Sequence, residues 1–377
     1  MESERDLWSW LVPTRLHPPR LRDDLLPRVQ LLEKLTCSQE KLALISAPAG
    51  YGKTTLLSTF AAHWKEPLAW LSLQQEDNDP SRFLISLLAA LLEAGWSCPG
   101  AMAALESESS APFQQALHAL IRDLSHPPSL VLALDDLHLI GEQAVFKALD
   151  YLVEHLPQGK RLIVGTREDP PLPLPRLRGR GELLELRAAE LRFSREETAR
   201  FFSGLGLSPA DLELLNRQVE GWPAGLRLIA GALERTPPLR RSAFIRDLVR
   251  LQGPVFEYLA QEVLENFPPD LQEFLLATSI LPQLTPKLCA AVSRREDAEE
   301  LLERLYRSNA FLSRSSSDPT AFRYHALFAQ FLRRRLSPER LAGLHLRAAR
   351  AQPDPAQAIG HLLFAGAWEE AADRIEE

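Results

Sequence analysis

The stretch Ala47-Pro-Ala-Gly-Tyr-Gly-Lys-Thr-Thr55 decides the fold of the first half of this chain. It follows the apolar run Leu42-Ala-Leu-Ile45 and precedes a helical pattern that begins at Leu56. A strand, a glycine-rich turn and a helix in this order are typical of a loop that binds phosphate groups. Gly50 and Gly52 let the backbone point its N–H groups inward, toward an anion at the helix N-terminus. The sequence therefore predicts a loop that binds a nucleoside triphosphate.

The side chains of this stretch predict how it would hold the nucleotide. Lys53 can reach the β- and γ-phosphates, and the Thr54 hydroxyl can ligate Mg²⁺. Ala47 stands where the pattern usually has its first glycine, which matters little because main-chain groups form the phosphate cradle. We predict that ATP or ADP binds through Ala49, Gly50, Tyr51, Gly52, Lys53, Thr54 and Thr55.

Length and composition predict a cytoplasmic protein of several domains. The 377 residues are too many for one compact core. No apolar run reaches the length of a membrane span, and no signal-peptide pattern opens the chain. Cys37, Cys98 and Cys289 lack metal-ligand spacing and fit thiols in a reducing compartment. The net charge of −7 argues against a surface built to bind nucleic-acid phosphates.

A pair of carboxylates follows a strand that is predicted to be buried on both faces. The run Leu130-Val-Leu-Ala-Leu134 ends in Asp135-Asp136. In a protein with a phosphate-binding loop, the first acid holds Mg²⁺, largely through water, and the second can polarise the attacking water. Two adjacent acids could also simply begin a loop. Their combination with the phosphate-binding loop favours the Mg²⁺ role for Asp135 and a catalytic role for Asp136.

Further strands place a third polar site at the same edge of the predicted sheet. Thr166-Arg167 ends the apolar run that begins at Arg161, and Arg167 can report the γ-phosphate. The alternative is an arginine paired with a surface acid. With the strands Leu68–Leu73 and Leu183–Leu186 and their intervening helices, the pattern predicts an α/β fold with a parallel, doubly wound sheet.

Segments between these motifs carry weaker signals. The proline- and arginine-rich Val12–Arg22 predicts an extended arm, either a solvated linker or a segment laid against the base of the nucleotide. Leu25–Leu35 has helical spacing. Gly95–Ser110 predicts a surface excursion, and Pro170–Gly181 predicts a loop.

From Ser194 onward the pattern is helical. Two short apolar runs, Ala310–Ser313 and Ala321–Tyr324, interrupt it after a series of helices that begins near residue 254 and suggest a winged helix-turn-helix. The pattern after Leu341 resembles the helix pairs of helical repeats. The predicted division is 1–24 for the arm, 25–190 for the nucleotide-binding domain, 191–250 for a small helical domain, 251–338 for the winged helix, and 339–377 for the start of a helical, TPR-like sensor region.

Ordered motifs across nearly the whole chain resemble one known family, the STAND nucleotide switches (signal-transduction ATPases with numerous domains). Within that family the chain is most similar to the maltose-system transcription regulators and their large LuxR-type relatives. The motifs are Ala47–Thr55, Asp135-Asp-Leu-His138, Thr166-Arg167, Gly221-Trp-Pro223 and Tyr324-His-Ala-Leu-Phe328. The resemblance implies a switch that is closed and monomeric with ADP, opens and forms homo-oligomers with ATP and an inducer, and is reset by slow hydrolysis.

The resemblance also implies roles for residues outside the phosphate loop. Arg28 would lie near the base and ribose, the Pro223 ring would pack on adenine, and His325 would touch the β-phosphate of ADP. Without the resemblance, His325 would be a core histidine bonded to backbone. An inducer would act through a C-terminal sensor, and no LuxR-type DNA-binding domain is visible in this sequence.

Two other functions compete with the switch. A P-loop kinase or motor ATPase would release its product freely, whereas a switch would copurify with ADP and hydrolyse ATP slowly. A DNA-binding protein would use its winged helix, but the candidate recognition helix Glu296–Ser308 carries more acids than bases and would repel phosphates. We therefore expect no direct nucleic-acid binding by these residues, and no membrane partner.

Overall fold

A parallel sheet of five strands forms the centre of the first part of the chain in the computed structural model. Its three central strands are buried along their whole length, as expected where helices cover both sides of a sheet, whereas the two edge strands are only partly buried. The strands are β1 (Leu42–Ser46), β2 (Leu68–Ser72), β3 (Leu130–Asp135), β4 (Lys160–Thr166) and β5 (Leu183–Arg187). Their order in the sheet is β2-β3-β4-β1-β5, and neighbouring strands pair in parallel.

Two compact units make up the chain. The first comprises Met1–Ala47 and Tyr51–Leu191, and the second comprises Pro48–Gly50 and Arg192–Glu377. The structure describes residues 11–22, 24–107, 112–126, 129–247, 258, 263–265, 267–307, 311–314, 318 and 320–376.

Helices alternate with the strands of the first unit. Asp79 caps the long helix α3 (Pro80–Glu93) by accepting a hydrogen bond from the Arg82 amide. The apolar face of this helix packs in the main core. The helices of this unit are α1 (Val29–Cys37), α2 (Lys53–His63), α3 (Pro80–Glu93), α4 (Pro99–Leu105), α5 (Pro112–Asp123), α6 (Gln143–His155), α7 (Leu174–Gly179) and α8 (Ala188–Leu191). The predicted α/β P-loop fold is confirmed.

Three segments differ from their predicted structure. Gly95–Ser110 contains helix α4, because Ala101 is fully buried and the Asp123 carboxylate accepts a hydrogen bond from its amide at 2.9 Å. Pro170–Gly181 contains the short helix α7, whose Leu174 and Leu177 are buried. Helix α1 begins at Val29 rather than Leu25.

The N-terminal arm is anchored to the first unit. A 3-10 turn at Pro13–Leu16 buries the Arg15 side chain, which pairs with the fully buried Asp77 and donates to the Ser72 carbonyl at 3.0 Å. Ser72 ends the edge strand β2. The alternative prediction of a solvated linker is therefore wrong for this turn, because Arg15 is buried and neutralises the Asp77 carboxylate.

The second unit begins with helices that carry strong N-terminal caps. Ser194 and Glu197 form one capping box, and Ser208 and Asp211 form another. Helix α11 begins at Pro223, and proline is well suited to the first helical position. These helices are α9 (Arg195–Phe201), α10 (Pro209–Val219), α11 (Pro223–Glu234) and α12 (Pro238–Asp247).

A two-stranded antiparallel wing follows the next group of helices, which confirms the predicted winged helix. The Tyr324 hydroxyl in the wing is hydrogen-bonded to that of Thr278 at 2.8 Å. The predicted helix over 254–266 lies largely outside the described residues. The elements are α13 (Pro269–Thr278), α14 (Pro286–Ser293), α15 (Ala298–Arg307), β6 (Leu312–Arg314), β7 (Phe322–Tyr324) and α16 (Ala326–Arg334).

Three helices form the last part of the second unit. They are α17 (Pro338–Ala351), α18 (Pro355–Ala365) and α19 (Trp368–Glu376). A small apolar cluster of Ala349, Leu362 and Ala371 joins them. Within the described ranges, no helix has both the length and the hydrophobicity that a membrane crossing requires.

Candidate functional site: a nucleotide-binding loop and the carboxylates beside it

The phosphate-binding loop connects β1 to α2. Gly50 and Gly52 have φ values of 76° and 80°, a left-handed conformation that only glycine adopts without strain. Gly52 is the N-cap of α2, so the loop ends at the amino end of that helix. The first amides of a helix have no acceptor within the helix, and their dipoles attract anions. The loop therefore has the backbone that a phosphate group requires.

Lys53 is held inside the loop. Its ammonium donates to the Ala47 carbonyl at 2.8 Å, and the residue is 7% exposed. Burial, and then the nearby charge of Arg167, lower the pKa of Lys53 to about 8. A polyphosphate beside this ammonium would stabilise its charge, since opposite charge favours the ionised form.

Asp135 lies at the carboxyl end of β3 and is 2% exposed. The Thr54 hydroxyl donates to its carboxylate, whereas Oδ1 is buried and has no hydrogen-bond partner among the residues that the structure describes. Burial and then the charge of Asp136 raise the pKa of Asp135 to about 6. A buried carboxylate oxygen without a partner beside a hydroxyl is a donor set that Mg²⁺ prefers. Thr54 and Asp135 therefore fit the predicted metal site.

Asp136 has an unusual backbone conformation. Its φ of 59° is left-handed, which costs free energy in residues other than glycine, although aspartate tolerates it better than most. The residue caps a 3-10 turn, Leu137–Leu139, and its side chain is 42% exposed. The conformation leaves this carboxylate accessible to water, whereas that of Asp135 is buried.

Arg167 completes the group of predicted residues in the first unit. It follows β4, is half-buried, and lies close enough to Lys53 for its charge to lower the pKa of that ammonium. The charges of Asp135 and Asp136 also act on Lys53. The structure thus brings Lys53, Thr54, Asp135, Asp136 and Arg167 together.

Two further residues, Gly165 and His138, lie beside this group, and no role was predicted for them from the sequence. A side chain on Gly165 of β4 would meet Asp135, because an added Cβ would stand 2.5 Å from Oδ1. His138 lies beside Asp136, with 3.8 Å between its Nδ1 and the Asp136 Oδ1. His138 belongs to the motif Asp135–His138. Its position two residues after Asp136 is the feature of the sequence that could have indicated a role at the site.

Arg28 is engaged with main chain in the first unit. Its guanidinium donates to the Leu191 carbonyl at 2.8 Å and to the Glu190 carbonyl at 2.9 Å. These are the last residues of α8, where a cation also complements the helix dipole. These two hydrogen bonds of Arg28 therefore fix the end of α8.

Pro223 and its neighbours belong to the second unit. Pro223 is half-buried at the first position of α11. In the same unit the Trp222 indole N–H donates to the Ala49 carbonyl at 3.1 Å, and the Ala224 amide donates to the Gly50 carbonyl at 3.0 Å. An added Cβ on Gly50 would stand 2.6 Å from the Ala224 Cβ, so a close approach also requires glycine there.

His325 caps α16 in the second unit and is 4% exposed. Its Nε2 donates to the Val219 carbonyl at 2.9 Å, while Nδ1 is buried and has no partner within the described part of the chain. Burial lowers the pKa of His325 to about 4, against the opposing charge of Glu220. The bond to backbone is the one expected of a core histidine, but the second ring nitrogen is unsatisfied.

Comparisons with known proteins agree with this domain order. The family model described as "AAA ATPase domain" matches residues 20–164, and the model described as "MalT winged helix domain" matches residues 260–344. An AAA ATPase domain implies nucleotide binding.

Curated relatives match along most of the chain. The HTH-type transcriptional regulator MalT of Cronobacter sakazakii is 36% identical over 371 residues, which is 94% of this chain and 41% of the relative. The protein of the same name from Klebsiella pneumoniae (strain 342) is 35% identical over 370 residues, with the same coverage. The chain thus spans about two fifths of the length of these relatives.

One solved structure supports the fold alone. The Walker-type ATPase PABY2304 of Pyrococcus abyssi aligns with a TM-score of 0.54 at 16% identity, over 84% of this chain and 99% of that protein. The predicted resemblance to the maltose-system regulators is confirmed by the curated relatives. Over 94% of its length this chain is similar to these regulators, and it matches the model of an AAA ATPase domain followed by that of a MalT winged helix domain.

Proposed function

We propose that this chain is the regulatory core of a transcription regulator, a switch that binds ATP or ADP with Mg²⁺ and hydrolyses ATP slowly. The observation that carries the proposal is the buried Asp135 carboxylate. It accepts a hydrogen bond from the Thr54 hydroxyl, and its Oδ1 has no partner among the described residues. Such an arrangement beside a phosphate-binding loop suits a nucleotide–metal complex.

Each residue of the group has a role in this proposal. Lys53 and Arg167 stabilise the charge of the phosphates, and Asp136, which solvent can reach, orients the attacking water. Thr54 and Asp135 hold Mg²⁺, Asp135 largely through water. When bound, Mg²⁺ neutralises charge that develops on the phosphate oxygens.

The adenine side of the site involves Arg28 and Pro223. The Pro223 ring is half-buried and would pack on the base. The guanidinium of Arg28 donates to two carbonyls at the end of α8, so we propose that it supports the base and ribose by fixing that turn. Arg15 anchors the N-terminal arm through its ion pair with Asp77. Contact between this arm and the base stays a prediction.

We propose that His325 contacts the β-phosphate of ADP through its unpartnered Nδ1. Because Nε2 already donates to the Val219 carbonyl, Nδ1 carries no proton in the neutral ring. A hydrogen bond from Nδ1 to phosphate therefore requires the imidazolium form. ADP binding at this residue would take up a proton, which supports a stronger hold on ADP when that proton is available.

We propose the following switching cycle. With ADP the chain is closed and monomeric, and ATP with an inducer opens it and allows homo-oligomers to form. The inducer, a small molecule or a protein, would act through a C-terminal sensor of which 339–377 is the start. The proposal also includes the other predicted domains, which span 1–24, 25–190, 191–250 and 251–338.

DNA contact is not part of the proposed function of these residues. Helix α15 carries Glu299, Glu300 and Glu303 against Arg304 and Arg307. The acids would repel nucleic-acid phosphates, so the winged helix serves packing and sensing.

Released nucleotide tests the proposal. We expect the purified protein to carry ADP, which denaturation and ion-exchange chromatography would reveal, and to gain mass by light scattering with ATP and inducer. The competing kinase or motor function predicts a nucleotide-free preparation with fast turnover. Weak ADP binding, only at millimolar concentration, would contradict the switch.

A further inference from the structure

We propose that His138 is a positioning residue, whose Nδ1–H holds the Asp136 carboxylate in the orientation that acts on the attacking water. This inference rests on the proposed function, since it assigns a partner to the water-orienting group.

The geometry of one short turn carries the inference. Asp136 and His138 lie at the start and in the middle of the 3-10 turn after β3, and their side chains meet. The distance of 3.8 Å between Nδ1 and Oδ1 is too long for a hydrogen bond. Nδ1 is buried and has no partner in the part of the chain that the structure describes. Catalytic hydrogen bonds often tighten only when the substrate is bound, so Asp136 is the acceptor that this nitrogen lacks.

The turn that carries His138 is held rigidly by Asn78. The Asn78 amide donates to the Leu139 carbonyl at 3.0 Å and to the Gln75 carbonyl at 2.8 Å. Its oxygen accepts from the Gly141 and Glu142 amides at 2.7 and 3.0 Å. Both donors and both lone pairs of this amide are therefore used. The small movement that closes the pair belongs to the side chains and not to the turn.

The surrounding charges keep the imidazole neutral. Burial, and then the cations Arg167 and Lys53, lower the pKa of His138 to about 3, so the ring beside the Asp136 carboxylate is neutral. A neutral ring can donate from Nδ1 without adding a third cation to the group and without protonating the carboxylate. It therefore orients Asp136 while leaving the negative charge available to the water.

Three substitutions at one position test this role. Asparagine places an N–H close to Nδ1, glutamine places one close to Nε2, and leucine has neither. We expect His138→Leu and His138→Gln to lower kcat for ATP hydrolysis by about tenfold or more, and His138→Asn to keep most of it. The ATP dissociation constant should stay within about twofold, because the bond acts on the water and not on binding. The control is His63→Leu, at an exposed histidine near the end of α2.

The outcomes separate this inference from the proposed function. Equal rates for all variants, or an Asn variant as slow as the Leu variant, would overturn it. A parallel loss of ATP affinity and of melting temperature in all three would assign His138 to packing and also overturn it. If the Leu variant does not fold, the comparison of Asn with Gln decides. A parent protein that neither binds nor hydrolyses ATP would instead refute the proposed function.

Discussion

Gly165 and Asp135 face each other on adjacent strands so closely that a methyl group on Gly165 would stand 2.5 Å from the Asp135 Oδ1. The preceding residues, Val164 and Leu134, are a register pair of β4 and β3. β4 also separates the acidic strand from β1, which leads into the phosphate loop. The missing side chain at Gly165 thus provides the space that the carboxylate occupies.

Gly165→Ala should weaken the binding of Mg²⁺–ATP. The added methyl group would displace the carboxylate from its place beside the Thr54 hydroxyl. We expect the affinity for ATP with Mg²⁺ to fall by about tenfold or more, roughly 1.4 kcal/mol, and the affinity measured in a chelator to change little. Calorimetry in both conditions measures the difference. The control is Gly179→Ala, since no atom of the described residues lies within 4 Å of a Cβ built there. An unchanged Mg²⁺ dependence would contradict the metal role of Asp135.

Lys53→Ala and Asp136→Asn should separate binding from hydrolysis. The first removes a buried cation from the phosphates, so bound nucleotide should be lost. The second removes the charge that acts on water, so ATP should stay bound while hydrolysis slows by about a hundredfold. Asparagine is preferred to alanine because it tolerates the left-handed backbone of Asp136. Single-turnover assays measure both effects, and Asp150→Asn on α6 is the control. If Asp136→Asn hydrolyses ATP at the rate of the parent protein, another group orients the water.

ADP affinity should depend on pH through His325. Its pKa is about 4 without ligand, and a phosphate at Nδ1 would raise it, so the complex holds a proton that the free protein lacks. The affinity should therefore be higher at low pH and fall as pH rises through the pKa of the complex. Calorimetry between about pH 6 and pH 8, in buffers of different ionisation enthalpy, measures the uptake directly.

His325→Gln is the control for this linkage. It should retain only the titration of ADP itself, and Glu220, Arg192 and Arg323, the charged groups that act on the imidazole, remain in place. A parent protein that takes up no more protons than His325→Gln would leave His325 as a core histidine bonded to Val219.

Arg15→Ala should destabilise the first unit strongly. The substitution leaves Asp77, which is 0% exposed, without its cation, although the Ser86 hydroxyl still donates to it at 2.9 Å. Breaking a buried ion pair costs about 3–5 kcal/mol of unfolding free energy. Urea unfolding measures the loss, with Arg22→Ala as control because its pair with Asp24 is exposed. The double variant Arg15→Ala/Asp77→Asn should recover part of it, and no recovery would argue against the ion pair.

The strands could be predicted because each contains a short, mostly apolar run that is followed by polar residues, although only the three central strands are buried along their whole length. Helix α4 could not, since Pro99–Leu105 is small and weakly patterned, and its stability comes from the distant Asp123 cap. The anchoring of Arg15 was equally hidden, because Asp77 follows it by 62 residues. Local pattern predicts local structure, whereas long-range polar pairs leave no periodic signal.

The candidate site shows the same division. Residues with a fixed place in a motif, such as Lys53, Asp135 and Arg167, lie together as expected. Gly165 was missed because its contribution is an absent side chain, which is informative only once its strand neighbour is known. The roles of Asn78 and His138 arise from a loop conformation that composition does not reveal.

The anchored arm also determines how a shorter protein should be designed. A fragment with the bounds of the matched ATPase model, residues 20–164, would begin after Arg15 and stop inside β4. It would lack the cation of a buried carboxylate, the outer strand β5, and Arg167. Insolubility of such a fragment would reflect its boundaries and not the ATPase domain. A soluble nucleotide-binding fragment should instead start before Pro13 and extend past Leu191.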